Sequence, residues 1–270
     1  MSEKRVVLVT GGSSGIGRAT ARLLAQGGFT VFGTSRNPSS VEPMPDVEML
    51  PLDVRSDESV KTCVNTLLEK TGRLDILVNN AGYVLRGAIE EPTLEEVKAL
   101  FETNLFGVVR MIKGLLPIMR KQGSGHIINI SSGMGMVPSP FMGYYAASKF
   151  ALEGCTEALR HEVKPLNIQV SLVEPGFIKT SVWQNMKEAS GRISDYDPSR
   201  NRALEVRHQF EEKALDPIVV AEVILDIIEG KSPRLRHAVG SDVARLSRMR
   251  RFLPEAIFEK GMRRTLHLDS

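Results

Sequence analysis

Val6-Val7-Leu8-Val9 is an unbroken apolar run that passes directly into Thr10-Gly11-Gly12-Ser13-Ser14-Gly15-Ile16-Gly17. A run without polar alternation reads as a strand covered on both faces, the property of a parallel sheet flanked by helices. The glycines that follow demand a tight turn into a helix, and lacking side chains they let a ligand approach the backbone. Several amides and a helix N-terminus then converge on one point, which is a phosphate-binding arrangement. Gly11, Ser13, Ser14, Gly15, Ile16 and Gly17 are the candidate residues for it. Their spacing is G-x-x-x-G-x-G, not the commoner G-x-G-x-x-G.

The rest of the chain repeats the alternation. Ile76-Leu77-Val78 and Ile127-Ile128-Asn129-Ile130 look like further central strands. Weaker strand signals lie at Thr30 to Gly33, Val47 to Leu50, Ile168 to Val173 and Leu235 to Val239, making seven. Helical spacing covers Gly15 to Gln26, Ser56 to Lys70, Thr93 to Arg120, Tyr144 to Lys164 and Asp216 to Ile228. Thr93-Leu94-Glu95-Glu96 is a capping box, and Asp216-Pro217 puts a capping carboxylate before a first-turn proline. The class is therefore α/β with a doubly wound parallel sheet. A chain of 270 residues with 42% apolar content can fill one such core, so residues 1–270 are read as a single domain. Lys179 to Lys213 is polar and irregular, and 181–215 is read as a lid over the substrate. Two cysteines, Cys63 and Cys155, make no disulfide framework or zinc spacing and read as packing residues. The N-terminus lacks a signal peptide and no run approaches a membrane span, so a reducing cytoplasm is expected. A net charge of +3 points to no nucleic-acid partner.

Thr10-Gly11-x-x-x-Gly15-x-Gly17, Asn79-Asn80-Ala81-Gly82, Asn104, Ser132, Tyr145-x-x-x-Lys149 and Pro175-Gly176 together resemble the motif series of the short-chain dehydrogenase/reductases. The match runs in order over about residues 5 to 240. The resemblance implies a sheet of order 3-2-1-4-5-6-7 with a nicotinamide dinucleotide across the carboxyl ends of its strands. It implies that Tyr145 is the general acid in reduction and the base in oxidation, and that Lys149 also binds the nicotinamide ribose. Ser132 then polarises the carbonyl; Ser131 competes, but strand alternation turns it to the other face. Asn104 would interrupt its helix and hold a water that relays protons to the lysine. Asn80, Ala81 and Gly82 border the cofactor, Asp53 accepts from the adenine amino group beside Val54, and Ile178 and Thr180 after Pro175-Gly176 meet the carboxamide. No metal is implied.

A phenol titrates near 10, so Tyr145 needs a cation such as Lys149, one helical turn away, to favour the phenolate. The second strand leads into Ser35-Arg36-Asn37, without the acid that would bind the ribose 2′-hydroxyl of NAD. Arg36 can pair with a 2′-phosphate, so NADP(H) is the expected cofactor, against the plainer reading of a solvated arginine.

Met134, Met142, Trp183 and Met186 give the loops around the expected site an apolar, adaptable character. A lipophilic ketone, aldehyde or secondary alcohol of steroid, retinoid or polyketide type is the expected substrate, and the loops look most like the steroid and retinol dehydrogenase branch. A β-ketoacyl reductase acting on a carrier-bound substrate, or a non-catalytic NADP(H)-binding regulator, are the alternatives. From Lys231 to Arg264 there are ten Lys or Arg against three Asp or Glu, a local +7. This tail, 242–270, is near-helical with a break at Pro254; it covers the substrate mouth or a neighbouring subunit, or it touches anionic lipid. The resemblance implies a homodimer or homotetramer.

Overall fold

The computed structural model describes residues 4–180, 186–231 and 234–268. Seven strands form one parallel sheet: β1 (Val6–Val9), β2 (Thr30–Ser35), β3 (Val47–Pro51), β4 (Ile76–Asn79), β5 (Gly125–Ile130), β6 (Ile168–Pro175) and β7 (Arg236–Val239). Their order is 3-2-1-4-5-6-7, as the resemblance implies. In the centre, Val7 lies between Val31 and Ile76, and Leu77 pairs with Ile127.

Alternation along each strand divides the apolar side chains between two cores. Leu8, Phe32, Leu77 and Ile127 face α2 (Asp57–Thr71) and α4 (Gly107–Gln122), packing with Val64, Leu67, Met111 and Leu115. Val7, Val9, Val31, Val78 and Ile128 face α1 (Gly15–Gln26) and α7 (Pro217–Ile228), with Leu24 and Ile224. Each fully buried side chain of this size contributes about 1.5–3 kcal/mol, which is why both faces are closed.

The capping signals act as expected. Thr93 accepts from the Glu96 amide while Glu96 accepts from the Thr93 amide, and Asp216 accepts from the Ile218 amide at 2.8 Å. The helix read from Thr93 to Arg120 runs through α3 (Leu94–Phe101), a π-helical turn at Glu102–Phe106 and α4, the turn falling at Asn104, where the resemblance implies an interruption. Two sequence expectations are corrected. The stretch read as irregular contains α6 (Asp197–Glu212), and Lys187–Glu188 pairs in parallel with Leu85–Arg86, away from the main sheet. Cys155 is exposed, on α5 (Gly143–Val163), although Cys63 is buried.

The basic tail is two helices, α8 (Ser241–Phe252) and α9 (Glu255–Thr265), separated at Pro254 as expected. No helix among the described residues is long and apolar enough to cross a membrane.

Candidate active site

A cleft of about 640 Å³ opens over the carboxyl ends of the central strands, where the strand order reverses between β1 and β4. Its floor is the glycine turn. Gly11 and Gly15 have φ of +65° and +51°, which only glycine adopts without strain. Gly17 does not line the cleft. A β-carbon there would collide with the Gly11 carbonyl and the Asn80 amide, so Gly17 sets how closely α1 approaches the turn. No side chain caps the first turn of α1 and no acid stands in it, so the helix start faces the cleft without an internal anion.

Asn80 donates to the Thr10 carbonyl at 2.9 Å and to the Gly11 carbonyl at 3.1 Å, holding the turn against the end of β4. Asn79 turns the other way and donates to Asn129, which donates in turn to Thr156, so it braces the sheet. Ala81 and Gly82 continue the cleft wall. Opposite, Pro175, Gly176, Ile178 and Thr180 form the other wall, and a β-carbon on Gly15 would stand 3.1 Å from Thr180. The two walls leave a slot shaped for an extended ligand.

One end of the slot is polar and cationic. Ser35, Arg36, Asp53, Val54 and Arg55 line it. Arg36 is exposed, makes no hydrogen bond among the described residues, and lies within electrostatic reach of Asp53. Asp53 accepts from Arg55 through both carboxylate oxygens, at 2.6 Å for the shortest contact. Those bonds pull its carboxyl down to about 2. Arg55 escapes the sequence reading. Its signal was adjacency to Asp53, whose carboxylate it holds on the cleft wall that Arg36 also lines.

The other end holds Ser132, Tyr145 and Lys149. Ser132 lies just beyond β5 and lines the cleft with Tyr145, whose phenol burial pushes above its usual value against a lowering influence of Ser132. The net direction is thus opposite to the lowering expected from Lys149. Its Nζ donates to the Ile130 carbonyl at 2.9 Å and lies 5.9 Å from the Tyr145 ring centroid. Burial pulls the Lys149 ammonium down to about 8, against the opposing pull of Glu153. Ser131, the competitor, donates to Glu153 at 2.7 Å and so has another function.

Asn104 is fully buried in the π-helical turn, where the wider winding turns its amide inward. Its Oδ1 accepts from the Tyr83 amide, and its Nδ2 donates to the Tyr83 carbonyl and to Ser148. The lysine is thus not its direct partner.

The expected substrate methionines do not line this cleft. Met142 is buried beside a backbone bridge to Gly87, Met134 donates its amide to Ser132 Oγ, and Met186 packs on Arg207. Trp183 lies outside the described residues.

Residues 5–191 match the short chain dehydrogenase family. The chain belongs to that family. It is 41% identical over 264 residues, 97% of both chains, to a 3-ketodihydrosphingosine reductase of Bacteroides thetaiotaomicron. It is 36% identical to retinol dehydrogenase 8 of Bos taurus, over 86% of this chain and 80% of that one, and 34% identical to estradiol 17-beta-dehydrogenase 1 of Rattus norvegicus, over 92% and 77%. A short-chain dehydrogenase from Streptomyces avermitilis superposes over 100% of both chains with a TM-score of 0.81 and 33% identity. Structures of similar chains at 25–29% identity hold NADP, a modified NADP or NADH. The chain is accordingly an NAD(P)H-dependent oxidoreductase of the carbonyl/alcohol class.

Proposed function

We propose that this oxidoreductase uses NADPH to reduce a long-chain lipophilic ketone, and that 3-ketodihydrosphingosine is the substrate to test first. The observation that carries the reading is the meeting of Ser132, Tyr145 and a buried Lys149 at one end of a cleft whose other end presents Arg36 and Arg55. The substrate choice is supported by the near full-length similarity to the Bacteroides reductase, and the steroid and retinol enzymes share the lipophilic class.

Bound NADPH supplies a hydride to the carbonyl carbon. The Tyr145 hydroxyl gives its proton to the carbonyl oxygen, so that hydride and proton together make the alcohol, while Ser132 donates a hydrogen bond to the same oxygen. Burial keeps the phenol protonated at neutral pH, the form that reduction requires. Lys149 then makes proton loss from Tyr145 less costly and reaches the nicotinamide ribose. Gly11, Ser13, Ser14, Gly15 and Ile16 cradle the pyrophosphate, Asn80, Ala81 and Gly82 flank the ribose, and Ile178 and Thr180 meet the carboxamide. Asp53 and Val54 border the adenine, with Arg36 and Arg55 on the 2′-phosphate. Positioning of this kind lowers a barrier by about 7–11 kcal/mol, and acid catalysis adds about a hundred- to ten-thousand-fold.

The test is NADPH oxidation followed at 340 nm with 3-ketodihydrosphingosine, steroid, retinoid, quinone and β-ketoacyl carbonyls. Turnover of the sphingoid ketone that Tyr145→Phe abolishes, with NADPH binding retained, is expected. Turnover confined to β-ketoacyl carbonyls would overturn the substrate reading. An oligomer built through α4 and α5 belongs to the same proposal, and sedimentation showing a monomer would remove it.

A further inference from the structure

Glu153 lies one helical turn beyond Lys149 on α5, 4% exposed, and the reduction described above does not use it. One carboxylate oxygen accepts from Ser131 Oγ at 2.7 Å, and the other is held by Arg236 of β7. The same guanidinium meets Glu174 of β6 at 2.7 Å, itself 1% exposed, and stands 3.6 Å from the exposed Glu157 of α5. Gly135 completes the enclosure: a β-carbon there would collide with the Glu153 carboxylate and come within 2.7 Å of Ser131 Oγ. The groups that face Glu153 are therefore Ser131 from the end of β5, Lys149 and Glu157 from α5, Glu174 from β6 and Arg236 from β7.

Burying a carboxylate costs several kcal/mol unless it is paired and hydrogen-bonded, and here an apolar side chain would fill the same space at less cost. What the carboxylate does that an apolar group cannot is join the end of β5 to α5, the two segments that carry the reacting groups, and tie both to β7. Ile130, whose carbonyl receives Lys149, precedes Ser131, and Ser132 follows it. We propose that Glu153 is a positioning residue: clamped by Arg236, it fixes the end of β5 to α5, so that Ser132, Tyr145 and Lys149 share one geometry, with its carboxylate one helical turn from Lys149. The proposal rests on the reading of Tyr145 and Lys149 given above.

The first test needs no substrate. In protein labelled with 13C at the lysine ε-carbon, the Lys149 resonance, assigned with Lys149→Met, is titrated in native enzyme and in Glu153→Gln. A carboxylate raises the pKa of a neighbouring ammonium, so the Lys149 midpoint should fall by about one unit in Glu153→Gln and return in Glu153→Asp. An unmoved midpoint in a folded Glu153→Gln protein would overturn the proposal. Should that variant not fold, Ser131→Ala carries the question. It should lower kcat at least tenfold with the KM for NADPH within twofold, and an unchanged kcat would refute the positioning role. Activity surviving in Tyr145→Phe would instead reject the underlying reading, a separate outcome.

Discussion

Ser131 and Ser132 are adjacent, yet one hydroxyl serves a buried carboxylate and the other accepts from the Met134 amide on the cleft wall that Tyr145 shares. That division was legible in the sequence because a strand sends neighbours to opposite faces. Tyr145 and Lys149 were legible for a similar reason, since four residues along a helix is one turn. Arg55 was not, because its position depends on where α2 begins. At this scale, cofactor preference makes the sharpest prediction. Charge-assisted bonds to a phosphate are worth about 1.5–3 kcal/mol, so Arg36→Leu should weaken NADPH binding about ten- to a hundred-fold while leaving NADH unchanged. Arg55→Leu should do the same to a smaller degree, because Asp53 already occupies part of that guanidinium. Fluorescence titration with both nucleotides measures each effect, and equal losses for NADPH and NADH would refute the 2′-phosphate assignment.

Elements whose signals are local, the strands and capped helices, follow the apolar pattern closely. The π-helical turn at Glu102–Phe106 does not show in that pattern, because its cause is tertiary: Asn104 satisfies both backbone groups of Tyr83, a residue 21 positions earlier. Asn104→Ala should leave those groups unpaired, costing about 1–3 kcal/mol in urea denaturation and loosening the wall beside Gly82. A stability within 0.5 kcal/mol of native, roughly the usual scatter for surface changes, would count against that account. Helix α6 was hidden for the opposite reason. Its buried positions are Arg200 and Val206, and Arg200 is held by Glu91 and Asp197, so no apolar stripe marks it. Gly17 belongs to this scale too. Gly17→Ala should push α1 away from the glycine turn, costing about 1–3 kcal/mol as overpacking does, and weaken both nucleotides alike. Calorimetry beside nucleotide titration would separate the two effects.

For the whole molecule, one buried group predicts how the fold responds to acid. His126 on β5 packs against Ser171 at 3.0 Å, and burial, with His237 nearby, pulls it down to about 4. The unfolded chain, titrating near 6.5, binds the proton that the folded chain refuses, so stability is full above that value and declines as pH falls from 6.5 towards 4. About 3 kcal/mol is at stake across that window. Urea midpoints at pH 7 and pH 5 should differ less in His126→Gln than in native protein, and an identical difference would place the acid sensitivity elsewhere.

Because all seven strands run the same way, their starting ends lie on the side of the molecule away from the cleft. The tail ends on the other side: Val243 of α8 stands where β-carbons on Gly133 or Gly176 would approach it at 2.9 and 2.8 Å, and Leu266 and Leu268 share a groove with Pro138 and Pro140. Anything attached to the carboxyl end is thus delivered beside the loop that joins Ser132 to Tyr145. A surface tether or affinity handle belongs ahead of β1, where it leaves the reacting end of the sheet unobstructed.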